Sequence, residues 1–216
     1  MVGTEEHTVE LWGSMPAEHA RALVGPGVVL RLDGGAAVVG LLLLRMRGLV
    51  VRVAGAPLPA PAIDYGEALW RIGVLEQGGG PAWFGVACDL DGAMVRRAGR
   101  LLVRYPVREA RVGFSPGAHA CAVDVVALGR HLRARARALP ERPPSLVPWP
   151  LLVRSAGRVW RIPWREEPAA WRHRAAIDVE DDGLAMSTLR VPVVWNGSGL
   201  MHRGRIHRCG MAVRER

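Results

Sequence analysis

The sequence has no lysine: all 29 of its lysine-plus-arginine positions are arginine. No side-chain amine is present to form a Schiff base with a carbonyl substrate. Phenylalanine and tyrosine are scarce, two of each beside eight tryptophans in 216 residues. A Phe/Tyr platform for stacking nucleobases is therefore missing. The three cysteines, Cys88, Cys121 and Cys209, are odd in number and far apart, with no Cys-x-x-Cys. That spacing argues against a disulfide framework, a zinc knuckle and a redox pair, and leaves small core residues of a reducing compartment. The longest apolar run, Ala36 to Leu44, stops at Arg45. A membrane-spanning helix needs about 20 such residues, so this run is expected to be a buried strand. P-loop and dinucleotide-binding fingerprints are also missing.

Half of the chain is apolar and its formal net charge is +9. Length and apolar content predict one domain over residues 1–216 with a sizeable core. Met1 to Leu11 carries Glu5, Glu6 and Glu10 rather than a basic-then-apolar leader, so a soluble cytoplasmic protein is expected. The charge is unevenly spread. Residues 1–128 hold 12 arginines and 12 acids, whereas residues 129–216 hold 17 arginines and 8 acids. Within the basic half, Arg133, Arg135 and Arg137 alternate with alanines, which on a strand gathers the arginines on one face. Such a face is either solvated or a phosphate-binding surface, and no nucleic-acid motif accompanies it.

Local patterns predict mostly strands. Ser14 is expected to cap a short helix, Met15 to Val24, ended by Gly25-Pro26-Gly27. Gly27–Leu32 and Ala36–Arg47 read as a hairpin around Asp33-Gly34-Gly35, and Tyr65–Leu75 with Ala82–Cys88 as another around Gly78-Gly79-Gly80. Asp91 is expected to cap a helix, Gly92 to Arg104, with Met94, Ala98, Leu101 and Leu102 as its apolar stripe. Strands follow at Val107–Phe114, His119–Leu128 and His131–Leu139. Beyond a Pro-rich link, Pro140 to Pro150, come Gly157–Trp164, Ala175–Val179, Leu184–Trp195 and Leu200–Val213, with Asn196 to Gly199 as the last turn. About ten strands and two helices predict an antiparallel sheet that curls or closes to protect its edges.

Two residues break the pattern of their strands. Arg108 shares a face with Ala110, Val112 and Phe114, so its guanidinium points inward, where it needs a structural acid or another anion. Glu67 lies between Gly66 and Ala68-Leu69-Trp70, where burial would raise its pKa and suit it to general acid–base work. An exposed Glu67 paired across strands fits the alternation equally. Histidines give little: His202 and His207 are five apart and fall on opposite faces of a regular strand. No metal site is expected.

Tyr65-Gly66-Glu67-Ala68, Cys88-Asp89-Leu90-Asp91-Gly92, Gly99-Arg100-Leu101 and Tyr105-Pro106-Val107-Arg108-Glu109, in this order and spacing, resemble the acetoacetate decarboxylase superfamily. Met15-Pro16-Ala17-Glu18, Leu44-Arg45-Met46-Arg47-Gly48 and Gly157-Arg158-Val159-Trp160 are closer to a branch of uncharacterised bacterial proteins within it. The resemblance covers residues 15–125 best. It implies a cone-like antiparallel β-barrel with a few peripheral helices and an apolar central cavity. In the decarboxylases, Pro-Lys-Lys stands where this chain has Pro106-Val107-Arg108, and the first lysine forms the Schiff base. Its absence rules out that route. The family's pocket glutamate corresponds to Glu67.

The resemblance and the residues together point to a cofactor-independent, lyase-like acid–base enzyme acting on an enolisable carbonyl or carboxylate compound. Glu67 and Arg108 are the expected catalytic pair, and Tyr65, Val107 and His119 the substrate-binding residues. A non-catalytic ligand-binding barrel is the alternative, and nucleic-acid binding through the basic half a third reading. Barrels of this superfamily commonly assemble, so a homo-oligomer is expected, with no membrane partner.

Overall fold

A computed structural model of the protein describes residues 1–53, 56–57, 61–76, 78–141, 149–167, 169 and 171–214. The expected loop at Ala54 to Pro61 and the link at Pro140 to Pro150 lie partly outside the described residues. The first third runs β1 (Val2–Met15), α1 (Ala17–Val24), β2 (Val29–Leu30), β3 (Leu32–Asp33), β4 (Ala36–Val50), β5 (Arg52–Val53) and β6 (Ala56–Pro57). The middle runs β7 (Ile63–Leu75), β8 (Pro81–Leu90), α2 (Ala93–Leu102), β9 (Val107–Pro116), β10 (Ala120–Ala127) and β11 (Arg130–Ala138). The last part holds β12 (Leu151–Ser155), β13 (Arg158–Ile162), β14 (Trp164–Glu166), β15 (Trp171–Asp181), α3 (Leu184–Leu189), β16 (Val194–Cys209) and β17 (Val213–Arg214). Among the described residues no helix is long and apolar enough to cross a membrane.

Nine of these strands close on themselves in the order β7-β8-β9-β10-β11-β15-β16-β1-β4 and back to β7. All neighbours in the ring are antiparallel except β8 and β9, which run parallel over Cys88–Leu90 and Val107–Glu109. Closure removes the sheet edges that would otherwise expose unpaired backbone. This is the mainly-β, barrel-like architecture with a few helices that the strand patterns predict.

The apolar run of β4 is continuous because both faces of the strand are covered. Leu41 and Leu43 belong to the core inside the ring, with Trp70, Val123, Leu132 and Ile177. Leu42 and Leu44 belong to a second core on the outer face, with Leu69, Cys88, Val95 of α2 and Val153 of β12. Strands buried on one face only, such as β11, keep the strict alternation: Leu132, Ala134 and Ala136 are buried and Arg135 and Arg137 exposed. The outer arginines there are matched by acids. Arg133 Nε donates to Asp124 at 2.6 Å, and Arg135 pairs with Glu180.

Several local expectations are corrected. Ser14 and Met15 belong to strand β1 and Ser14 caps no helix; α1 begins at Ala17 after Pro16 with no side-chain cap. Asp91 does not cap α2; its carboxylate accepts the backbone N–H of Gly66 at 2.5 Å instead. The buried face of α2 is Val95 and Gly99, while Met94 and Leu101 are exposed. Two residues per turn of this helix are apolar, so spacing alone does not choose the face. Residues 184–189 are a helix, not a strand, because Asp181 accepts the N–H groups of Leu184 and Ala185 at 2.7 and 3.3 Å. Asn196 to Gly199 is no turn but an irregular stretch within β16, where pairing with β1 shifts register between Leu11 and Gly13.

Candidate functional site

On β7, Tyr65, Glu67 and Leu69 point to the outer core, and Ala68 and Trp70 to the ring interior. Glu67 is opposite Leu44 of β4 and Leu90 of β8, so apolar neighbours flank it on both sides. It is 4% exposed. The Cys88 thiol donates to its Oε1 at 3.4 Å. Burial pushes its pKa up to about 7; the charge of His207 and the bonds from Cys88 and Tyr65 only partly counter this. Burial and the charge of Glu67 also raise the phenols of Tyr65 and Tyr105, which stay protonated.

Glu67 opens onto a pocket whose empty space, open solvent included, is about 470 Å³. One wall is the sheet, with Tyr65, Glu67 and Leu90; α2 covers another through Val95, Ala98 and Gly99. Gly99 is what lets the helix come so close. A Cβ there would stand 3.2 Å from Val107 Cγ1, so Val107 is packed beneath α2. Tyr105 and, from β16, His207 and Cys209 complete the polar lining.

His207 is held by a buried ion cluster. Glu5 of β1 is fully buried and accepts His207 Nδ1 at 2.8 Å, Arg205 Nη2 at 2.6 Å and the Thr8 hydroxyl at 3.0 Å. Burial opposes the charge of Glu5, yet these partners outweigh it and hold the carboxyl well below its usual range. Burial likewise opposes an imidazolium at His207, but hydrogen bonds with Cys209 and Glu5 push its pKa up to about 10. His202 approaches the same carboxylate, Nδ1 to Oε2 3.8 Å, and burial drives its pKa down to about 3. The two histidines thus converge on one carboxylate, where alternation sets them on opposite faces. The reason is Gly204, whose φ of +67° lies in the left-handed region and breaks the alternation between Arg203 and Arg205. Opposite it, β1 shifts register against β4 between Glu5 and His7.

Arg108 faces the other side of the sheet. Its Nε and Nη2 each donate to Asp89 at 2.7 Å, and Nη2 also to the Thr188 hydroxyl of α3 at 2.9 Å. Asp89 is fully buried and accepts Trp70 Nε1 at 2.7 Å as well. Asp89 lies between Cys88 and Leu90, both of the outer core, so the Arg108–Asp89 pair belongs to the ring interior. Glu67 and Arg108 therefore do not share a site. His119 is exposed ahead of β10 and does not line the pocket. Of the expected residues, Tyr65 and Glu67 stand together in the pocket wall, with Val107 behind it.

Sequence reasoning missed Glu5, Tyr105, His207 and Cys209. Only Glu5 and His207 gave a signal, as charged residues on otherwise alternating strands. One Gly-x-Ser-x-Gly string exists, Gly113 to Gly117, but it ends strand β9 with Ser115 exposed and no helix following, unlike a nucleophile elbow. Among the described residues no group of three or more histidines, cysteines and acids is arranged to hold a metal ion.

No known protein family matches the chain, and no curated protein does. Solved structures do. Acetoacetate decarboxylase from Legionella pneumophila superposes with a TM-score of 0.75 at 13% identity, covering 100% of this chain and 87% of that one. The enduracididine biosynthesis enzyme MppR, complexed with pyruvate, superposes at 0.70 with 16% identity, over 99% and 89% of the two chains. An acetoacetate decarboxylase-like enzyme from Sphingomonas wittichii gives 0.71 at 12% identity, over 99% and 92%. At such identities the likeness is one of fold, and it extends over the whole chain.

Proposed function

We propose that this acetoacetate decarboxylase-like barrel is an acid–base enzyme for a small enolisable carbonyl compound, with Glu67 as the residue that moves the proton. The supporting observation is a buried carboxyl, with pKa about 7, opening into an apolar pocket beside a cationic histidine. A general base works best when its pKa lies near the working pH, because it is then both available and strong enough. As carboxylate, Glu67 would take a proton from the carbon next to the carbonyl. As acid, it would return that proton to the same or another carbon. Negative charge develops on the carbonyl oxygen meanwhile, and the protonated phenols of Tyr65 and Tyr105 and the charge of His207 are the lining groups able to stabilise it.

The resemblance of Val107 to the position of a Schiff-base lysine fits this reading. An imine on a lysine side chain is closed to this chain, whereas proton transfer at an enolisable carbon needs no amine. One solved structure of the same fold holds pyruvate, a small enolisable 2-oxo acid. The carboxylate-binding role expected of Arg108 passes in this proposal to His207, since Arg108 is committed to Asp89.

Exchange of the methyl protons of pyruvate or acetoacetate for deuterium, followed by NMR, tests the proposal. Wild type is expected to catalyse exchange with a rate that rises with a midpoint near pH 7, and Glu67→Gln to lose it by at least about a hundredfold. His207→Gln should move the midpoint upward, because the histidine's charge lowers the pKa of Glu67. Exchange unchanged in Glu67→Gln would remove the glutamate from the mechanism. Ligand binding without exchange in wild type would make the pocket a binding site only.

A further inference from the structure

Three polar residues stand side by side on the inner face of the ring. His7 of β1 is paired in register with Arg45 of β4 on one side and with Arg203 of β16 on the other. Two residues along each strand come Leu43, Val9 and Met201, all of the ring core, and no register shift separates the two rows. Alternation therefore turns Arg45, His7 and Arg203 to the same inner face. The row lies toward one end of the ring. At the other end, α1 and α3 follow β1 and β15 and add Ala20, Val24, Leu184 and Leu189 to the core. All three residues of the row keep partial exposure, so solvent reaches it.

Charge is not matched in this row as it is elsewhere. Arg108 has Asp89, Arg205 has Glu5, and Arg71 has Glu10 at 2.6 Å. Arg45 and Arg203 form no ion pair with a carboxylate among the described residues. Arg45 Nε, His7 Nδ1 and Arg203 Nε are buried there without a hydrogen-bond partner. The acids of the neighbourhood are engaged elsewhere: Glu6 and Asp64 pair with Arg47, and Asp91 accepts the Gly66 N–H. Arg203 is held in place from the sides. Its guanidinium lies over the Trp171 ring, 4.5 Å from the centroid, and its Nη2 donates to the Gly117 carbonyl. A guanidinium cannot shed its proton, so two of them on one inner face without acids call for an anion from outside.

We propose that Arg45, His7 and Arg203 form a second binding site, on the face of the sheet opposite the Glu67 pocket, and that it takes a phosphate group. The site does not depend on the function proposed above. Arg45 is paired with Gly66, and Leu44 with Glu67, so the two sites stand back to back across β4 and β7. The backbones of Arg45 and Arg203 are two strand spacings apart, about 10 Å, and their side chains can close on one ion set over His7. Guanidinium forks match phosphate oxygens, and the bonds are charge-assisted. Donors arriving from three strands suit a tetrahedral oxyanion, with oxygens on every side, better than a flat carboxylate. Leu43, Val9 and Met201 supply an apolar floor, which strengthens ionic contacts above it. His7 reports on occupancy. Burial lowers its pKa from the usual 6.5; Arg203, Arg45 and Arg47 add to this, and Glu6 opposes it. A bound phosphate puts negative charge beside the ring and raises the pKa again.

Titration of the full chain with inorganic phosphate, followed by calorimetry and by the histidine ring signals in NMR, tests the proposal. One equivalent is expected to bind, shifting the His7 signal and raising its titration midpoint; the signal is identified by its loss in His7→Gln. Arg45→Met and Arg203→Met should each weaken binding at least about tenfold, the size of a lost hydrogen bond to a charged group. Arg137→Ala, on the exposed outer face of β11, should leave it unchanged. Arg45→Met strands no carboxylate, so it should unfold in urea no more readily than wild type, and its loss of binding is then not a loss of fold. Tighter binding of glycerol 3-phosphate than of inorganic phosphate would assign the site to a phosphoester, and weaker binding to the free ion. The proposal is overturned by the absence of saturable binding, by acetate binding as tightly as phosphate, or by a His7 signal that phosphate leaves in place. Equal weakening by Arg137→Ala would also overturn it, since the binding would then be a property of net charge. Proton exchange at the Glu67 pocket is read separately, so either reading can fail without the other.

Discussion

Two buried carboxyls in the same region have opposite fates, and their partners explain why. Glu5 has an arginine, a histidine and a hydroxyl within 3.0 Å and stays ionised. Glu67 has a thiol at 3.4 Å and apolar neighbours, so desolvation dominates and its pKa rises to about 7. This has a consequence for stability. Between the usual carboxyl pKa of 4.5 and about 7, the folded protein holds a proton on Glu67 that the unfolded chain has lost. Stability from this group is therefore present at low pH and is lost as pH rises through that window. Glu67→Gln mimics the protonated form. Urea unfolding should show it close to wild type at pH 5 and more stable at pH 8, by up to about 3 kcal/mol for a shift of this size. Equal stabilities at both pH values would mean that Glu67 is solvated.

At the scale of elements, the parallel pair β8 and β9 is the one break in an otherwise antiparallel ring, and α2 is the crossover that permits it. The pair is short and is braced by Asp89 and Arg108, which face each other across it and reach α3 through Thr188. Asp89→Asn keeps an acceptor for Trp70 but leaves the guanidinium uncompensated. Breaking a fully buried pair costs about 3–5 kcal/mol, and since the Arg108 side chain is 22% exposed, water relieves part of this. A loss of about 2–3 kcal/mol is expected in urea unfolding, most of it recovered in the double variant Asp89→Asn with Arg108→Met. No recovery would show that the loss does not come from an uncompensated Arg108 charge. The same elements show how far local pattern reaches. The hairpin of β7 and β8 is legible from two alternating runs around three glycines, and the arginine–alanine alternation marks the outer face of β11. The face of α2 and the helix at Leu184 are not legible, because apolar residues there fit more than one face or conformation until neighbouring elements cover one of them.

For the whole molecule, the net charge of +9 suggests a surface for phosphates, but Arg133 and Arg135 of β11 already have partners on β10 and β15. A phosphate would have to displace Asp124 and Glu180. The pocket under α2 is the place proposed for a ligand. In a thermal-unfolding screen, a small 2-oxo acid at about 100 times its dissociation constant should add about 2.7 kcal/mol of stability. A larger stabilisation by an oligonucleotide, fading with added salt, would move the function to the basic face instead.

By itself the sequence determined that the protein is mainly strand, that Ala36 to Leu44 is buried, that Cys88, Cys121 and Cys209 sit in the interior, and that no lysine chemistry is available. These follow from alternation, from Gly and Pro punctuation and from residue type, which are local properties. Tertiary structure alone decided the site. Whether an inward charge meets the ring interior or the pocket depends on which strands the sheet brings alongside. Arg108 and Glu67, both marked by their burial, are divided by the thickness of one sheet. Glu5, His207 and Cys209 meet because ring closure pairs β1 with β16 and because Gly204 turns the strand over. Register and closure are set by long-range pairing, and no short stretch of residues encodes them.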